Sequence, residues 1–174
     1  MTHRTSSRPP CVVISGVSGA GKSTVARQLA ERLGVPFAEA DDFHSPDSIR
    51  KMASGVPLDD RDRRAWLESV GRWLGDRDAA GSGGVASCSA LRRRYRDILR
   101  SACPAAVFFQ LTADREVLAG RLGGRRGHFM PQTLLDSQLA TLEPLEPDER
   151  GASLDASPAP EEIVRTAVKL LDGR

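Results

Sequence analysis

The stretch GVSGAGKST, residues 16–24, holds the residues of this sequence with the most specific chemistry. It matches the pattern G-x-x-x-x-G-K-[ST], in which Gly16, Gly21, Lys22 and Ser23 occupy the fixed positions. Glycines admit backbone angles closed to other residues, so consecutive N–H groups can point inward at phosphate oxygens. We expect Lys22 to reach the outer phosphates of ATP and Ser23 to offer its hydroxyl to Mg²⁺. The residues of this loop predicted to bind the nucleotide are Gly16, Val17, Ser18, Gly19, Ala20, Gly21, Lys22, Ser23 and Thr24.

Three acidic residues, Glu39, Asp41 and Asp42, follow the second apolar segment of the chain. A kinase that acts on a small molecule needs a carboxylate beside the acceptor hydroxyl, together with cations for the migrating phosphoryl group. At the carboxyl end of a strand, one of these side chains would face both the metal ion and the acceptor. The alternative is a solvated turn followed by a helix cap, which the local sequence also permits.

A glycine-rich basic segment, about residues 121–131, is the predicted lid of this site. Arg121, Arg125 and Arg126 present planar guanidinium groups, which bind phosphate oxygens through two hydrogen bonds at once. We expect them to close over the triphosphate, with Arg125 acting on the migrating group. The alternative for these arginines is a solvated basic loop. His128 in the same segment is either a substrate contact or a residue that makes only local hydrogen bonds.

Apolar runs that alternate with segments of helical periodicity indicate the elements that must position these residues. Strands are predicted over residues 11–14, 35–40, 85–89, 105–111 and 152–155. Helices are predicted to begin near residues 23, 46, 60, 91, 117, 134 and 163, while residues 75–84 have the composition of a turn. This alternation predicts an α/β P-loop NTPase fold in three αβα layers, with a mainly parallel five-stranded sheet and ligands at the carboxyl ends of its strands.

The 174 residues fit one domain, which we place at residues 11–174 after a disordered start at residues 1–10. The 25 Lys and Arg against 23 Asp and Glu leave a formal charge of +2, which argues against a surface that coats nucleic acid. Cys11, Cys88 and Cys103 have small or apolar neighbours, so we expect buried thiols in a reducing compartment. No apolar run approaches about 18 residues and no signal peptide is evident, so we expect a cytoplasmic protein without a membrane span.

Six blocks of the sequence together resemble the gluconokinase family, a group of P-loop sugar-acid kinases related to shikimate kinases. The blocks are GVSGAGKST, ADDFH, KMASGVPLDDRDR, CSALRRRYRDIL, GHFMP and SQLATLEPLE. The phosphate loop alone is shared with shikimate and nucleotide monophosphate kinases, whereas KMASG-x-PL-x-D-x-DR, CSAL and GHF in this order look specific to gluconokinases. The resemblance extends from about residue 11 to the end of the chain.

The resemblance implies ATP-dependent phosphorylation of D-gluconate at its 6-hydroxyl, and it suggests a homodimer. By similarity to shikimate kinases, Asp41 is predicted to be the catalytic carboxylate, with Glu39 nearer the metal. The predicted catalytic residues are Asp41, Lys22 and Arg125, the predicted metal ligands are Ser23, Glu39 and Asp41, and Arg121 and Arg126 complete the nucleotide site. The implied contacts of the sugar acid are Asp41, His44, Lys51, Arg63, Arg92, Arg96 and His128.

Two departures from the family pattern bear on the substrate. Arg92 and Arg93 stand where the family usually has two lysines, and Asp59 stands where Asn is common. A planar guanidinium in place of a point charge alters how a carboxylate is contacted. Two alternatives stay open: a kinase for shikimate or a related polyol acid and, from another class, a nucleotide-gated binding module that hydrolyses little.

Overall fold

The computed structural model describes residues 7–123 and 132–174, and within them five strands alternate with seven α-helices. The strands are β1 (Cys11–Ser15), β2 (Phe37–Glu39), β3 (Gly84–Ser87), β4 (Val107–Thr112) and β5 (Gly151–Asp155). The helices are α1 (Lys22–Leu33), α2 (Pro46–Ala53), α3 (Asp60–Ala79), α4 (Arg93–Ala102), α5 (Arg115–Gly123), α6 (Gln132–Thr141) and α7 (Pro160–Asp172). A short 3₁₀ helix, Ala40–Phe43, follows β2 directly.

All five strands pair in parallel, in the order β2-β3-β1-β4-β5. Every residue of β1 and β3 is buried, as strands covered by helices on both faces require. The register pairs Ser87 with Glu39 on one side and with Ile14 on the other. Because the strands are parallel, the segments that follow β1, β2 and β3 meet at one edge of the sheet. The predicted α/β fold is confirmed.

Two apolar clusters fill the space between the sheet and its helices, one on each face. The first joins Ile14 and Phe109 to α1 and α7, and the second joins Val13 and Phe108 to α3 and α4. Successive side chains of a strand point to opposite faces, so β1 and β4 contribute to both clusters. The three cysteines are buried free thiols, as predicted. None of the helices in the two described ranges combines the length and the apolar composition that crossing a membrane requires.

The predicted turn at residues 75–84 is corrected, because α3 continues to Ala79. A Cβ on Gly71 would lie 2.9 Å from the Cβ of Ala102, and a Cβ on Gly75 would lie 2.6 Å from the Ala102 carbonyl oxygen. These glycines therefore do not end α3. They allow α3 and α4 to pack closely. Composition alone does not distinguish the two uses of glycine.

Strand β3 forms as predicted, although its sequence GVAS has low β-propensity. A Cβ on Gly84 would lie 2.9 Å from the Trp73 ring, so the indole occupies the space that a larger residue would need. The carbonyl oxygen of Pro10 accepts a hydrogen bond from the Gly84 N–H at 3.1 Å. Pro10, the last residue of the segment predicted to be a disordered start, thus packs on the sheet. Residues 1–6 lie outside the described part of the chain.

Side-chain caps fix the first turns of α2 and α3. Ser45 Oγ accepts a hydrogen bond from the Ser48 N–H at 3.1 Å. Asp59 Oδ1 accepts a hydrogen bond from the Asp62 N–H at 2.8 Å, and Asp62 Oδ2 accepts one from the Asp59 N–H at 3.1 Å. The two residues form a capping box. Asp59, where the family commonly has Asn, therefore has a structural role that either residue fulfils.

Candidate active site

The phosphate loop lies between β1 and α1, as its sequence pattern requires. Its glycines have positive φ angles of 138° at Gly16, 85° at Gly19 and 88° at Gly21. A Cβ on Gly16 would also lie 2.7 Å from the Leu111 carbonyl oxygen, so this position has no room for a side chain. Gly21 is the N-cap of α1 and provides no side-chain cap, so the first-turn N–H groups keep their capacity to bind an anion.

The side chains of Lys22 and Gln138 make hydrogen bonds to the backbone of this loop. Lys22 Nζ donates a hydrogen bond to the Val17 carbonyl oxygen at 2.9 Å, so the ammonium group lies over the loop. Gln138 Oε1 accepts a hydrogen bond from the Ser18 N–H at 2.8 Å. The sequence did not point to Gln138 by its chemistry, although the residue lies in the SQLATLEPLE block. It links α6, the helix after the predicted lid, to the phosphate loop.

Glu39 connects three elements at the carboxyl edge of the sheet. Its Oε2 accepts a hydrogen bond from Ser23 Oγ in α1 at 2.6 Å. Its Oε1 accepts a hydrogen bond from Ser87 Oγ in β3, also at 2.6 Å. Ser23 and Glu39 were predicted as metal ligands, whereas Ser87 was not, because only the register of β2 on β3 brings it beside Glu39.

The oxygen atoms around Glu39 suit Mg²⁺. Carboxylate and hydroxyl oxygens are hard ligands, and protein-bound Mg²⁺ commonly takes one or two protein carboxylates together with water and substrate phosphates. Within the described residues, no group of three or more His, Cys, Asp or Glu side chains is placed to hold a metal ion by itself. Ser23 and Glu39 therefore fit an ion shared with a nucleotide better than an all-protein metal site.

Asp41 and His44 belong to the turn that follows Glu39. The Asp41 side chain is 80% exposed, and its Oδ1 lies 3.9 Å from His44 Nε2. The His44 side chain is only 8% exposed and stacks on Trp66, with ring centroids 4.5 Å apart. Burial lowers the pKa of His44, and the nearby Asp41 opposes this effect. Trp66 Nε1–H donates to the Ala40 carbonyl oxygen at 2.6 Å, which fixes the turn that carries Asp41.

Three further predicted contacts of the sugar acid, Lys51, Arg63 and Arg92, are partly accessible. Lys51 Nζ donates to Asp62 Oδ2 at 2.7 Å, and this hydrogen bond raises the pKa of Lys51. Arg63 Nη1 donates a long hydrogen bond of 3.5 Å to Tyr95 Oη. Arg92 occupies the N-cap position of α4. Their contacts with a substrate stay predictions.

The prediction that Arg96 contacts the sugar acid is corrected, because this residue is completely buried. Its Nε and Nη2 donate to the Glu149 carboxylate at 2.7 and 2.9 Å, and its Nη1 donates to the Ala90 carbonyl oxygen at 3.2 Å. Ala90 has a φ of 39°, which is strained for a residue with a Cβ. The preceding residue, Ser89, accepts a hydrogen bond from the Gly16 N–H at 3.2 Å. Arg96 thus supports the loop that contacts the phosphate loop.

A cavity of about 360 Å³ opens beside the phosphate loop. Gly19 and Gly21 of the loop line it, as do Arg121 in α5 and Ala156 and Pro158 after β5. Arg121 Nη2 donates to the Ala156 carbonyl oxygen at 2.6 Å, which holds the guanidinium group at the cavity wall. Arg121 is therefore next to the loop, as its predicted role requires.

The predicted lid, residues 121–131, is described only as far as Gly123 in α5. Arg125, Arg126 and His128 lie outside the described residues. Their roles stay predictions from the sequence.

The parallel sheet, the phosphate loop after its first strand and the Ser23–Glu39 pair define an α/β P-loop kinase fold. The family model described as AAA domain matches residues 11–145. A gluconokinase from Gluconobacter oxydans (strain 621H) is 43% identical over 162 residues, which cover 93% of this chain and 91% of the relative.

The solved structures similar to nearly the whole chain include a gluconokinase and a sugar kinase. A gluconokinase from Sinorhizobium meliloti 1021 is 44% identical with a TM-score of 0.84, covering 95% of this chain and 93% of that one. An unliganded sugar kinase from Janibacter sp. HTCC2649 is 50% identical with a TM-score of 0.86, covering 94% of each chain. The chain belongs to the gluconokinase family.

Proposed function

We propose that the protein transfers the γ-phosphoryl group of ATP to the 6-hydroxyl of D-gluconate, forming ADP and 6-phosphogluconate. The observation that carries this proposal is the phosphate loop with its Ser23–Glu39 hydrogen bond of 2.6 Å, in a chain related to gluconokinases over 93% of its length. From the family resemblance we also propose a homodimer, and from its buried free thiols we propose that it acts in the reducing cytoplasm.

In this proposal the triphosphate of ATP lies on the N–H groups of residues 16–24. The positive end of the α1 dipole adds to the attraction of these backbone donors. The cavity beside the loop receives the nucleoside, because Val25 and Ile163 give it apolar walls suited to a purine ring. Arg121 at the cavity wall contacts the bound nucleotide.

Ser23 and Glu39 would hold Mg²⁺, which would supply positive charge beside the phosphates of the nucleotide. Asp41 was predicted both as a metal ligand and as the base. We assign it to the acceptor, because its side chain is 80% exposed whereas two hydroxyls engage the Glu39 carboxylate. Asp41 then orients the 6-hydroxyl and accepts its proton.

The rest of the sugar acid requires polar and cationic partners. His44 offers a neutral imidazole at pH 7, because burial lowers its pKa from an ordinary value of 6.5. Lys51, Arg63 and Arg92 are the cationic candidates for the carboxylate of gluconate, with His128 as a further contact in the segment that is not described.

Catalysis in this proposal depends on positioning and charge. In the loose transition state of phosphoryl transfer, negative charge gathers on the migrating group and on the leaving oxygen. Lys22 and Arg125 stabilise this distribution of charge more than that of the bound substrates. Asp41 contributes the proton acceptor that the attacking alcohol requires.

An acceptor panel tests the proposal. Purified protein with MgATP is supplied with D-gluconate, with other sugar acids or with shikimate, and ADP release is measured. We expect kcat/KM for D-gluconate to exceed that of each other acceptor by about 10-fold or more, because an acid with mismatched hydroxyls would leave polar groups of the proposed site unpaired. A higher kcat/KM for another acid would show that this acid, and not D-gluconate, is the preferred substrate. ADP release that is independent of every acceptor would contradict a kinase function.

A further inference from the structure

Ser87 is completely buried at the carboxyl end of β3, and its hydroxyl donates to Glu39 Oε1 at 2.6 Å. Glu39 Oε2 accepts a hydrogen bond of the same length from Ser23. Each oxygen of the carboxylate therefore has its own hydroxyl partner. The last side-chain torsion of a glutamate is otherwise broad, so the two contacts together restrict the rotation of this carboxylate.

The pairing of Ser87 is not a general consequence of burial at this edge of the sheet. Ser15 ends the neighbouring strand β1 and is equally buried, yet its Oγ has no hydrogen-bond partner among the described residues. The register of β2 on β3 places Ser87 directly beside Glu39. Ser87 is thus placed specifically for this carboxylate.

We propose that Ser87 is a positioning residue for the magnesium–nucleotide complex, whose hydroxyl keeps Glu39 Oε2 directed at Ser23. The inference rests on the proposed use of MgATP and is independent of which acid is phosphorylated. Groups that orient a metal ligand typically change metal affinity by about 10- to 100-fold when they are removed. Ser87 contacts neither phosphate nor acceptor in this arrangement, so its loss alters the Mg²⁺ dependence of nucleotide binding.

Four variants isolate the hydroxyl. Ser87→Ala removes it, while Ser87→Thr and Ser87→Val have the same shape and differ only in whether the hydroxyl is kept. Ser15→Ala is the matched control, because it removes a buried serine hydroxyl from the adjacent strand without affecting Glu39. Calorimetry measures the binding of ADP at a series of Mg²⁺ concentrations and without Mg²⁺, with no acceptor present. Thermal unfolding checks that each variant is folded.

We expect Ser87→Ala and Ser87→Val to raise the half-saturating Mg²⁺ concentration by about 10-fold while metal-free ADP binding changes less than about 2-fold. Ser87→Thr and Ser15→Ala should both behave like the wild type. An unchanged Mg²⁺ dependence in Ser87→Ala, or equal behaviour of Ser87→Thr and Ser87→Val, would overturn the proposal. If the larger residues prevent folding, the comparison of Ser87→Ala with Ser15→Ala decides. A failure of the gluconate assignment would leave these binding results unaffected.

Discussion

Glu39 and Asp41 are close neighbours in the chain, yet the structure gives their carboxylates different surroundings. Glu39 accepts hydrogen bonds from Ser23 and Ser87, whereas the Asp41 side chain is 80% exposed beside His44. A carboxylate held by two hydroxyls suits a fixed place beside a metal ion. An accessible carboxylate suits an incoming alcohol, because a general base must come within hydrogen-bond reach of the proton it removes.

Substitution of Asp41 tests this division of roles. Asp41→Asn keeps the shape of the side chain and removes its basicity, so we expect kcat with D-gluconate to fall by about 10²-fold or more. Binding of ADP with Mg²⁺ should change by less than about 2-fold, because the lost interaction acts on the transition state. Asp47→Asn is the control, since it alters an exposed carboxylate of α2 that pairs with Arg50. Near-normal turnover of Asp41→Asn would remove Asp41 from the role of base.

At the scale of the elements, α4 is anchored from its buried face by Arg96. This side chain joins α4 to Glu149 before β5 and to the strained Ala90 after β3. Burial alone raises the pKa of the Glu149 carboxyl. Hydrogen bonds from Arg96, from the Glu146 N–H and from Arg100 outweigh this effect and lower the pKa to about 2.

The stability of this anchor should depend on pH. Glu149→Gln leaves the Arg96 charge buried without its partner, and we expect the free energy of unfolding at pH 7 to fall by about 3–5 kcal/mol. The folded-state pKa of Glu149 lies below the ordinary value of 4.5, so its ionised form stabilises the protein above that pH. This contribution is lost progressively as pH falls from about 5 towards 2.

Urea unfolding followed by circular dichroism measures both effects. The unfolding free energy of Glu149→Gln should vary less with pH below about 5 than that of the wild type. Glu31→Gln, which alters an exposed residue of α1, is the control and should show the wild-type dependence. Equal pH dependence of Glu149→Gln and the wild type would show that the Glu149 carboxyl does not stabilise the fold by this route.

The five strands and seven α-helices of the described residues were predictable because a buried run or an apolar stripe is a pattern of neighbouring residues. The turn predicted at residues 75–84 begins only after Ala79, since Gly75 is required by contact with α4 and not by a change of chain direction. The prediction that Arg96 contacts the sugar acid was wrong because it also missed a contact that is distant in the sequence. Its partner Glu149 lies 53 residues further along the chain, and no local pattern connects them.

The candidate site, too, was predictable only where its residues are consecutive in the sequence. The phosphate loop and the acidic turn after β2 are runs of consecutive residues, and their positions were predicted from the sequence. Ser87 lies 48 residues from Glu39, and Gln138 lies 120 residues from Ser18. The first pair depends on strand register and the second on the packing of α6, so neither contact was predictable from spacing.

At the scale of the whole molecule, the parallel sheet brings together at one edge residues that are far apart in the sequence. β1 leads into the phosphate loop, β2 ends at Glu39 just before Asp41, and β3 ends at Ser87. The loop after β3 returns to the phosphate loop through the hydrogen bond between Ser89 and Gly16. A ligand at this edge is therefore in reach of all three segments, as in other open parallel sheets.

In the proposed arrangement, backbone N–H groups of residues 16–24 hold the phosphates of ATP while Asp41 directs an alcohol at them, and one crystal structure tests this arrangement most directly. The protein is crystallised with a non-hydrolysable ATP analogue, Mg²⁺ and D-gluconate. We predict phosphates on the loop, the metal ion at Ser23 and Glu39, and the gluconate 6-hydroxyl about 2.6–3.2 Å from the Asp41 carboxylate. Phosphates bound away from residues 16–24, or a 6-hydroxyl directed away from Asp41, would contradict it.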